Sequence, residues 1–361
     1  MHSQNVIEKF NIQGEVITVR PFGRGHINNS YKLETIGKAS PNYLLQIVNH
    51  EVFRNIKGLM NNIQMVTNHL IQKTKWTGLD SEKPLKLIPT KKGDYYLYED
   101  HQYWRMYEFI DNTYPLKTIV TEDLIYEAGK GYGNFIYQLS DLPTKNLEIT
   151  IPNFHSLPFR LENMMGSIKI AEKKRYEAGK ESLSFIKSNE AWFDPILRIR
   201  SKKLPPLRVV HNDTKLDNVL FDKNGKFKCV VDLDTVMPGL IHYDFGDVLR
   251  TGMTNSPEDE KDLKKISLDM DRFKAFSTGY FERLGDGITT IEKNSLSKAP
   301  AFMAFIMGVR FLTDFFQNDV YYKTSFEHHN LFRARCQLHL ANLLMKREKE
   351  MRAYISRLLP Y

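Results

Sequence analysis

Only two cysteines occur in 361 residues, Cys229 and Cys336. Neither has a partner at the spacing of a metal site or a disulfide framework, so both read as small core residues. An apolar run long enough to span a membrane is also lacking. The longest, APAFMAFIMGV at 299 to 309, stops at Arg310, short of the roughly 20 residues a span requires. The opening MHSQNVIEKFNIQGEV has no basic start, apolar centre or small-residue cleavage site of a secretory signal. These absences predict a cytoplasmic protein that does not bind membranes. Low-complexity tracts and internal repeats are missing too, and 42% hydrophobic with 26% charged residues is the composition of a folded globular chain. The net charge of +8 is not gathered into a basic stripe; it is spread over mixed-sign surfaces such as EKKRYEAGKES. That distribution argues against a nucleic-acid partner, and a modest cationic surplus suits a small polyanionic ligand.

The length exceeds what one core holds, roughly 250 to 300 residues, so two lobes are expected. The first hundred residues read as strands: EVITVRPF, YKLETI and NYLLQIVN, then LKLIPT, DYYLYE and YWRMYEFI. One segment of helical periodicity, VFRNIKGLMNNIQMVTNHLIQK, interrupts them. After Asp111 the periodicity turns helical, with candidates at 121 to 140, 157 to 190, 258 to 285, 299 to 317 and 327 to 357. The expected fold is α+β and two-lobed: a small β-rich lobe over 1–110 covering a nucleotide, and a larger, mainly α-helical lobe over 111–361 for catalysis and substrate. A cleft is expected where they join, at EFIDNT.

Inside the helical part lies one β patch, VLFDKNGKFKCVVDLD. Its Asn224-Gly225 pair predicts a hairpin with a type I′ turn, in which both residues take positive φ. The octet HNDTKLDN (211 to 218) precedes this hairpin, and Asp232 and Asp234 follow it. A His, an Asp two residues later and an Asn five beyond that is the spacing of a phosphotransferase catalytic loop. Asp213 there faces the attacking hydroxyl and Asn218 offers an oxygen to magnesium. Asp232, at the hairpin's far end, is the second metal ligand, and Lys215 is placed to meet the transferring phosphoryl. The string Asp244-Phe245-Gly246 invites the same metal role but lies past the hairpin. Its expected task is to brace the catalytic loop by hydrogen bonds. Near the N-terminus, the loop GRGHINNS with Gly23 and Gly25 joins the first two strands and can bring backbone amides to phosphates. One part is missing: the third strand carries Gln46 where kinases of this plan carry lysine, and Arg24 and Lys215 are candidates to supply the charge. EHHN at 327 to 330 reads as a solvated helix start, since adjacent histidines on a helix point to different sides.

On HNDTKLDN, VVDLD and YDFGD the sequence resembles the aminoglycoside phosphotransferase and choline kinase superfamily, which shares the two-lobed protein kinase fold. HNDTKLDNVLFD, VVDLDTVMPG, FGRGHINNSY, WRMYEFI and GVRFLTDFFQNDVYY resemble, in order, segments of its N-acetylhexosamine 1-kinase subfamily. The resemblance spans nearly the whole chain. It implies an ATP- and Mg2+-dependent transfer to the anomeric hydroxyl of an N-acetylhexosamine by a monomer. Asp213 is then the base and Asn218 and Asp232 are the metal ligands. Gly23, Arg24 and Gly25 cover the phosphates, Gln46 is a subfamily trait, and the backbone of Tyr107, Glu108 and Phe109 meets the adenine. His26, Asp234, Arg310 and Tyr321 hold sugar hydroxyls with Asp213. The residues themselves leave open a pairing of Arg310 with Asp314 and core packing of Tyr321. They also leave open a kinase for choline, homoserine or an aminoglycoside, and a nucleotide-binding pseudokinase.

Overall fold

The computed structural model describes residues 2–23, 27–77, 83–116, 121–202 and 204–359. In chain order it contains α1 His2–Ile7, β1 Glu15–Pro21, β2 Asn29–Ile36, β3 Tyr43–Val48, α2 Ile56–Thr77, β4 Leu97–Glu99, β5 Gln102–Glu108 and β6 Thr113–Pro115. There follow α3 Glu122–Gln138, α4 Leu157–Ile168, α5 Lys173–Asn189, α6 Asp194–Lys202, β7 Arg208–Val210, β8 Val219–Asp222, β9 Phe227–Val230 and β10 Met237–Gly239. The chain ends with α7 Ile241–Gly252, α8 Met270–Leu284, α9 Thr290–Leu296, α10 Ala299–Phe316 and α11 His329–Leu358.

These elements form two compact units, and the boundary is not a single cut after residue 110. The first unit joins Met1–Lys117 to Gln138–Pro152 and Asp217–Pro238; the second holds Thr118–Tyr137, Asn153–Leu216 and Gly239–Tyr361. The acid-bearing hairpin, expected within the helical lobe, therefore belongs with the sheet. Its strand β8 pairs with both β6 and β9, and Asn62 of α2 ties the neighbouring segments together. The Asn62 amide donates to the carbonyls of Glu148 (2.8 Å) and Val236 (2.9 Å) and accepts from the Glu148 N–H (2.8 Å).

The main sheet of the first unit runs β1-β2-β3-β5-β4, with every neighbouring pair antiparallel. Alternate residues Leu33, Tyr43, Leu45, Trp104 and Met106 point to one face, where Val6, Ile7, Phe10 and Ile88 complete the core. This period-2 burial is what fixes the register. LKLIPT is not the strand its composition suggests. It makes single bridges, Leu87 with Tyr107 and Thr90 with Phe10, because Pro89 has no N–H to extend a ladder.

In the second unit the helices at 299 to 317 and 327 to 357 form as expected. The expected 157-to-190 helix is two, α4 and α5, and the one at 258 to 285 begins only at Met270. There Asp269 caps it, accepting from the N–H groups of Asp271 (3.0 Å) and Arg272 (3.1 Å). Helix α10 is long and apolar enough to cross a membrane by length and composition, yet 83% of it is buried inside the protein. Helices α3 and α8 meet backbone to backbone. A Cβ on Gly133 would stand 2.2 Å from the Tyr280 carbonyl oxygen, and one on Gly279 2.1 Å from that of Tyr126. The close approach fixes α3, whose Tyr132 hydroxyl donates to the Lys215 carbonyl (2.7 Å). Both cysteines are buried, as expected.

Candidate active site

One buried carboxylate braces the start of the octet. Asp244 accepts from the backbone N–H of His211 and of Asn212, each at 2.7 Å, and its carbonyl accepts from the Thr214 hydroxyl (2.7 Å). The Asp of the DFG string, here inside helix α7, thus makes the bracing bonds the sequence suggests. Burial pushes the Asp244 carboxyl up to about 6, against the opposing pull of His211 and the two amides. Asn212 adopts φ +66°, a left-handed conformation that asparagine tolerates better than most residues and that the bonds from the His211 and Asn212 amides to Asp244 hold in place. His155 adds a further strut, its Nε2–H donating to the Asn212 carbonyl (2.9 Å). Further along the loop Asp213 is partly exposed, and the Lys215 ammonium lies 3.1 Å from its carboxylate.

In the first unit the hairpin brings Asn218 and Asp232 to one end. Val219 pairs with Val230, and the Val231 N–H donates to the Asn218 carbonyl (2.9 Å). Asp232 follows at φ +61°, a left-handed turn that ends the strand. The turn at the other end differs from the type I′ expectation. Only Gly225 has positive φ, at +75°. Its N–H donates to the Asp222 carbonyl (2.8 Å), and the Asp222 carboxylate accepts from Asn224 and Lys226 (2.9 and 3.0 Å). This is a type I turn closed by a left-handed glycine, the three-residue alternative. Asp222 selects it by satisfying the amides that a two-residue loop would bury in the ladder.

Asp234, expected to contact the sugar, has partners within its own unit. It is buried, ion-paired with Arg105, and accepts from the Asn28 amide (2.6 Å) on its other oxygen. Arg105 Nε–H in turn donates to Gln46 (3.0 Å), whose own amide donates to Ser30 (2.9 Å). Burial alone would lower the Arg105 guanidinium, but Asp234 beside it more than reverses that and holds it charged. Arg105 was not anticipated. Its signal is a lone charge in an otherwise apolar and aromatic strand.

The other substrate candidates lie in the second unit. Arg310 is not paired with Asp314, which instead accepts from the N–H groups of Tyr321 (2.8 Å) and Tyr322 (2.9 Å) and from Asn330 (2.9 Å). The Arg310 guanidinium stands over the rings of Phe154 (5.5 Å) and Tyr322 (5.6 Å). Arg160, unforeseen from sequence, shares this neighbourhood: it donates to the Phe154 carbonyl (2.9 Å) and its Nε is buried without an acceptor. Burial, with Arg310 nearby, pushes Arg160 down to about 10. Burial likewise pushes His155 down to about 4. With Nε2–H committed to Asn212, the neutral ring presents Nδ1 as an unpartnered acceptor. The buried Tyr322 hydroxyl also has no partner. Tyr321 is 68% exposed, so it is not a core residue.

Of the remaining candidates, Gly23 is described, at φ +81°, while Arg24, Gly25 and His26 lie outside the described residues. The amides of Glu108 and Phe109, expected to face adenine, donate to the Lys86 and Asn42 carbonyls (2.9 and 2.8 Å). The pair at 328 and 329 is not a solvated helix start. His329 is buried, its Nε2 2.9 Å from the Asp259 carboxylate.

Three solved structures share this fold. A microcompartment-associated aminopropanol kinase is 12% identical, with 97% of this chain and 98% of that one covered at a TM-score of 0.61. A spectinomycin phosphotransferase in complex with ADP and spectinomycin is 14% identical over 96% and 98%, at 0.55. A choline kinase from Cryptosporidium parvum Iowa II is 15% identical over 93% and 92%, also at 0.55. The resemblance at this level is one of fold, α+β and kinase-like, with a β-sheet N-terminal region and a helical C-terminal region. A family model described as the phosphotransferase enzyme family matches residues 18–276, most of the chain and every part of the two acid motifs. The chain belongs to that phosphotransferase family.

Proposed function

We propose that the protein is an ATP-dependent kinase that phosphorylates the anomeric hydroxyl of N-acetylhexosamines, N-acetylglucosamine or N-acetylgalactosamine, giving the sugar 1-phosphate and ADP. The observation that carries the choice of acceptor is the Arg160–Arg310 neighbourhood, attached to the catalytic loop through His155. Two guanidiniums, neither in an ion pair among the described residues, repel an ammonium group. Choline, aminopropanol and aminoglycosides, which carry one, are therefore poor acceptors. A sugar amide and its hydroxyls supply the acceptor oxygens that the two arginines and the Tyr322 hydroxyl lack, and a donor for His155 Nδ1. The segments resembling the N-acetylhexosamine 1-kinases include Arg310 and Tyr321 and agree with this reading.

Asp213 orients the anomeric hydroxyl and takes its proton as the sugar oxygen bonds to the γ-phosphorus. The bond from that phosphorus to the β–γ bridging oxygen breaks, and ADP leaves. Lys215, beside Asp213, offsets charge on the phosphoryl in flight. Asp244 and His155 act earlier, by fixing the loop. Asn218 and Asp232 suit Mg2+: it takes oxygen ligands, needs only one or two from protein, and leaves the rest to phosphates and water. When bound, the ion offsets the phosphate charge. Gly23 begins the loop that covers the phosphates. Incubation with MgATP and a panel of N-acetylhexosamines, choline, aminopropanol, homoserine and an aminoglycoside tests the reading. ADP should form, with loss of the reducing end, only with the hexosamines. Turnover of the amines alone would overturn it.

A further inference from the structure

Kinases of this plan hold a nucleotide's α- and β-phosphates with a lysine on the third strand, paired to a glutamate on the helix that follows. Both halves of that pair are absent from their places here. The third strand has Gln46, and helix α2 contains no Asp or Glu. The adjacent strand β5 places Arg105 directly opposite Gln46 in register. Gln46 fixes the Arg105 Nε–H, the Tyr107 ring lies 5.3 Å from the guanidinium, and Asp234 pairs with it. Asn28 extends the cluster toward the glycine-bearing loop: its amide donates to Asp234 and its carbonyl accepts from the Asn49 N–H (3.0 Å). All of these residues belong to one unit.

We infer that Arg105 and Asp234 are the charge pair of the nucleotide site, doing from β5 and the post-hairpin turn what a lysine and a helix-borne glutamate do elsewhere. Arg105 is a positioning residue. The charge count is the same as in the usual arrangement: one cation, one carboxylate spent on it, and one carboxylate left for the metal. Without Arg105, Asp232 and Asp234 would present two negative charges to an already anionic nucleotide. With it, Asp234 is withdrawn and Asp232 is the one carboxylate that serves the ion, beside Asn218. Burial keeps the guanidinium's field poorly screened. The pair also makes no use of α2, so nucleotide binding does not wait on the position of that helix.

The inference rests on the kinase reading, and the two are separated by measuring MgADP affinity without an acceptor. If the wild-type protein binds no nucleotide, the kinase reading fails. If it binds, the decisive variant is Arg105→Met with Asp234→Asn, which removes the pair without stranding a charge. Its MgADP Kd should rise at least tenfold, and adding Gln46→Lys should recover part of the loss. A Kd within twofold of wild type would show the pair to be structural only and overturn the inference. Should that variant not fold, Arg105→Lys keeps the charge but has no fork to span Gln46 and Asp234 together. A several-fold weaker Kd at near wild-type thermal stability is expected of it, and an unchanged Kd overturns the inference equally.

Discussion

Two clusters of buried guanidinium, one in each unit, are held in opposite ways. Arg105, 1% exposed, faces a carboxylate that is itself buried and has its second oxygen satisfied by Asn28. Arg160 and Arg310, both partly buried, have aromatic rings and backbone for company and no ion pair among the described residues, and Arg310 adds to the lowering of the Arg160 pKa. A buried charge that is paired belongs to the fold or to a preset field. One left without a counter-charge is costly to the fold, and a cost retained at a site is a sign that something else completes it. The largest effect expected from this contrast is on stability. Arg105→Met strands Asp234 in the interior, and urea unfolding should show a loss of about 3–5 kcal/mol. The equivalent change in the second unit, Arg160→Met, removes a like charge from Arg310. It should leave the unfolding midpoint unchanged or slightly raised. Equal losses at the two sites would break the comparison.

Next in size is an effect on binding. Arg310→Ala removes a charged donor that the fold does not use, apart from a contact to the Met307 sulfur. The KM for the acceptor should rise roughly 10- to 100-fold, the loss of a charged hydrogen bond of about 1.5–3 kcal/mol. The KM for ATP and the urea midpoint should stay within error. A change in ATP affinity instead would move Arg310 out of the acceptor site.

The contrast also explains what could be read from sequence. HxDxxxxN, the hairpin and the strand-end Asp are local patterns, so the hairpin with Asn218 and Asp232 at one end was legible, as was the bracing role of Asp244. Amphipathic stretches such as α2 and α3 showed their period. Helix α7 did not, because it is buried on nearly every side and has no polar stripe to reveal it. Helix α9 was missed although its capping box, Thr289 with Glu292, stands in the sequence as TTIE. The partners of buried charges stayed hidden. Arg105 and Asp234 are 129 residues apart, and Arg160 and Arg310 come from α4 and α10. No spacing rule reaches across such separations, so Arg105 was not anticipated as the partner of Asp234, nor Arg160 as the neighbour of Arg310.

Asp244 offers a third way of holding a buried charge, with backbone amides in place of a cation, and its effect should be smaller. Its carboxyl is raised to about 6 by burial. On acidification it gains a proton and can no longer accept from both His211 and Asn212. The kcat should fall as pH drops through about 6. Stability should move the other way. Folding raises this pKa from the roughly 3.9 of an unfolded Asp, so the unfolded chain ionises first. The Asp244 contribution to stability declines as pH rises from about 4 to about 6 and is flat above. A kcat–pH profile beside a stability–pH profile checks both signs, and profiles that fall together would point to general acid unfolding.

The smallest expected effect separates the two guanidinium sites with an anion as the probe. An oxyanion is a fair probe for guanidiniums lacking a counter-charge, and linkage sets the size of its effect: at a concentration equal to its Kd, it stabilises by about 0.4 kcal/mol. Sulfate should therefore raise the melting temperature slightly more than chloride at matched ionic strength. That excess should vanish in Arg160→Met and in Arg310→Ala. Arg105→Lys should retain it, because the paired site has no vacancy for an anion while Asp234 is in place. An excess retained equally in all three variants would mean the sulfate acts through exclusion from the surface generally, and the difference between the two clusters would then be one of degree.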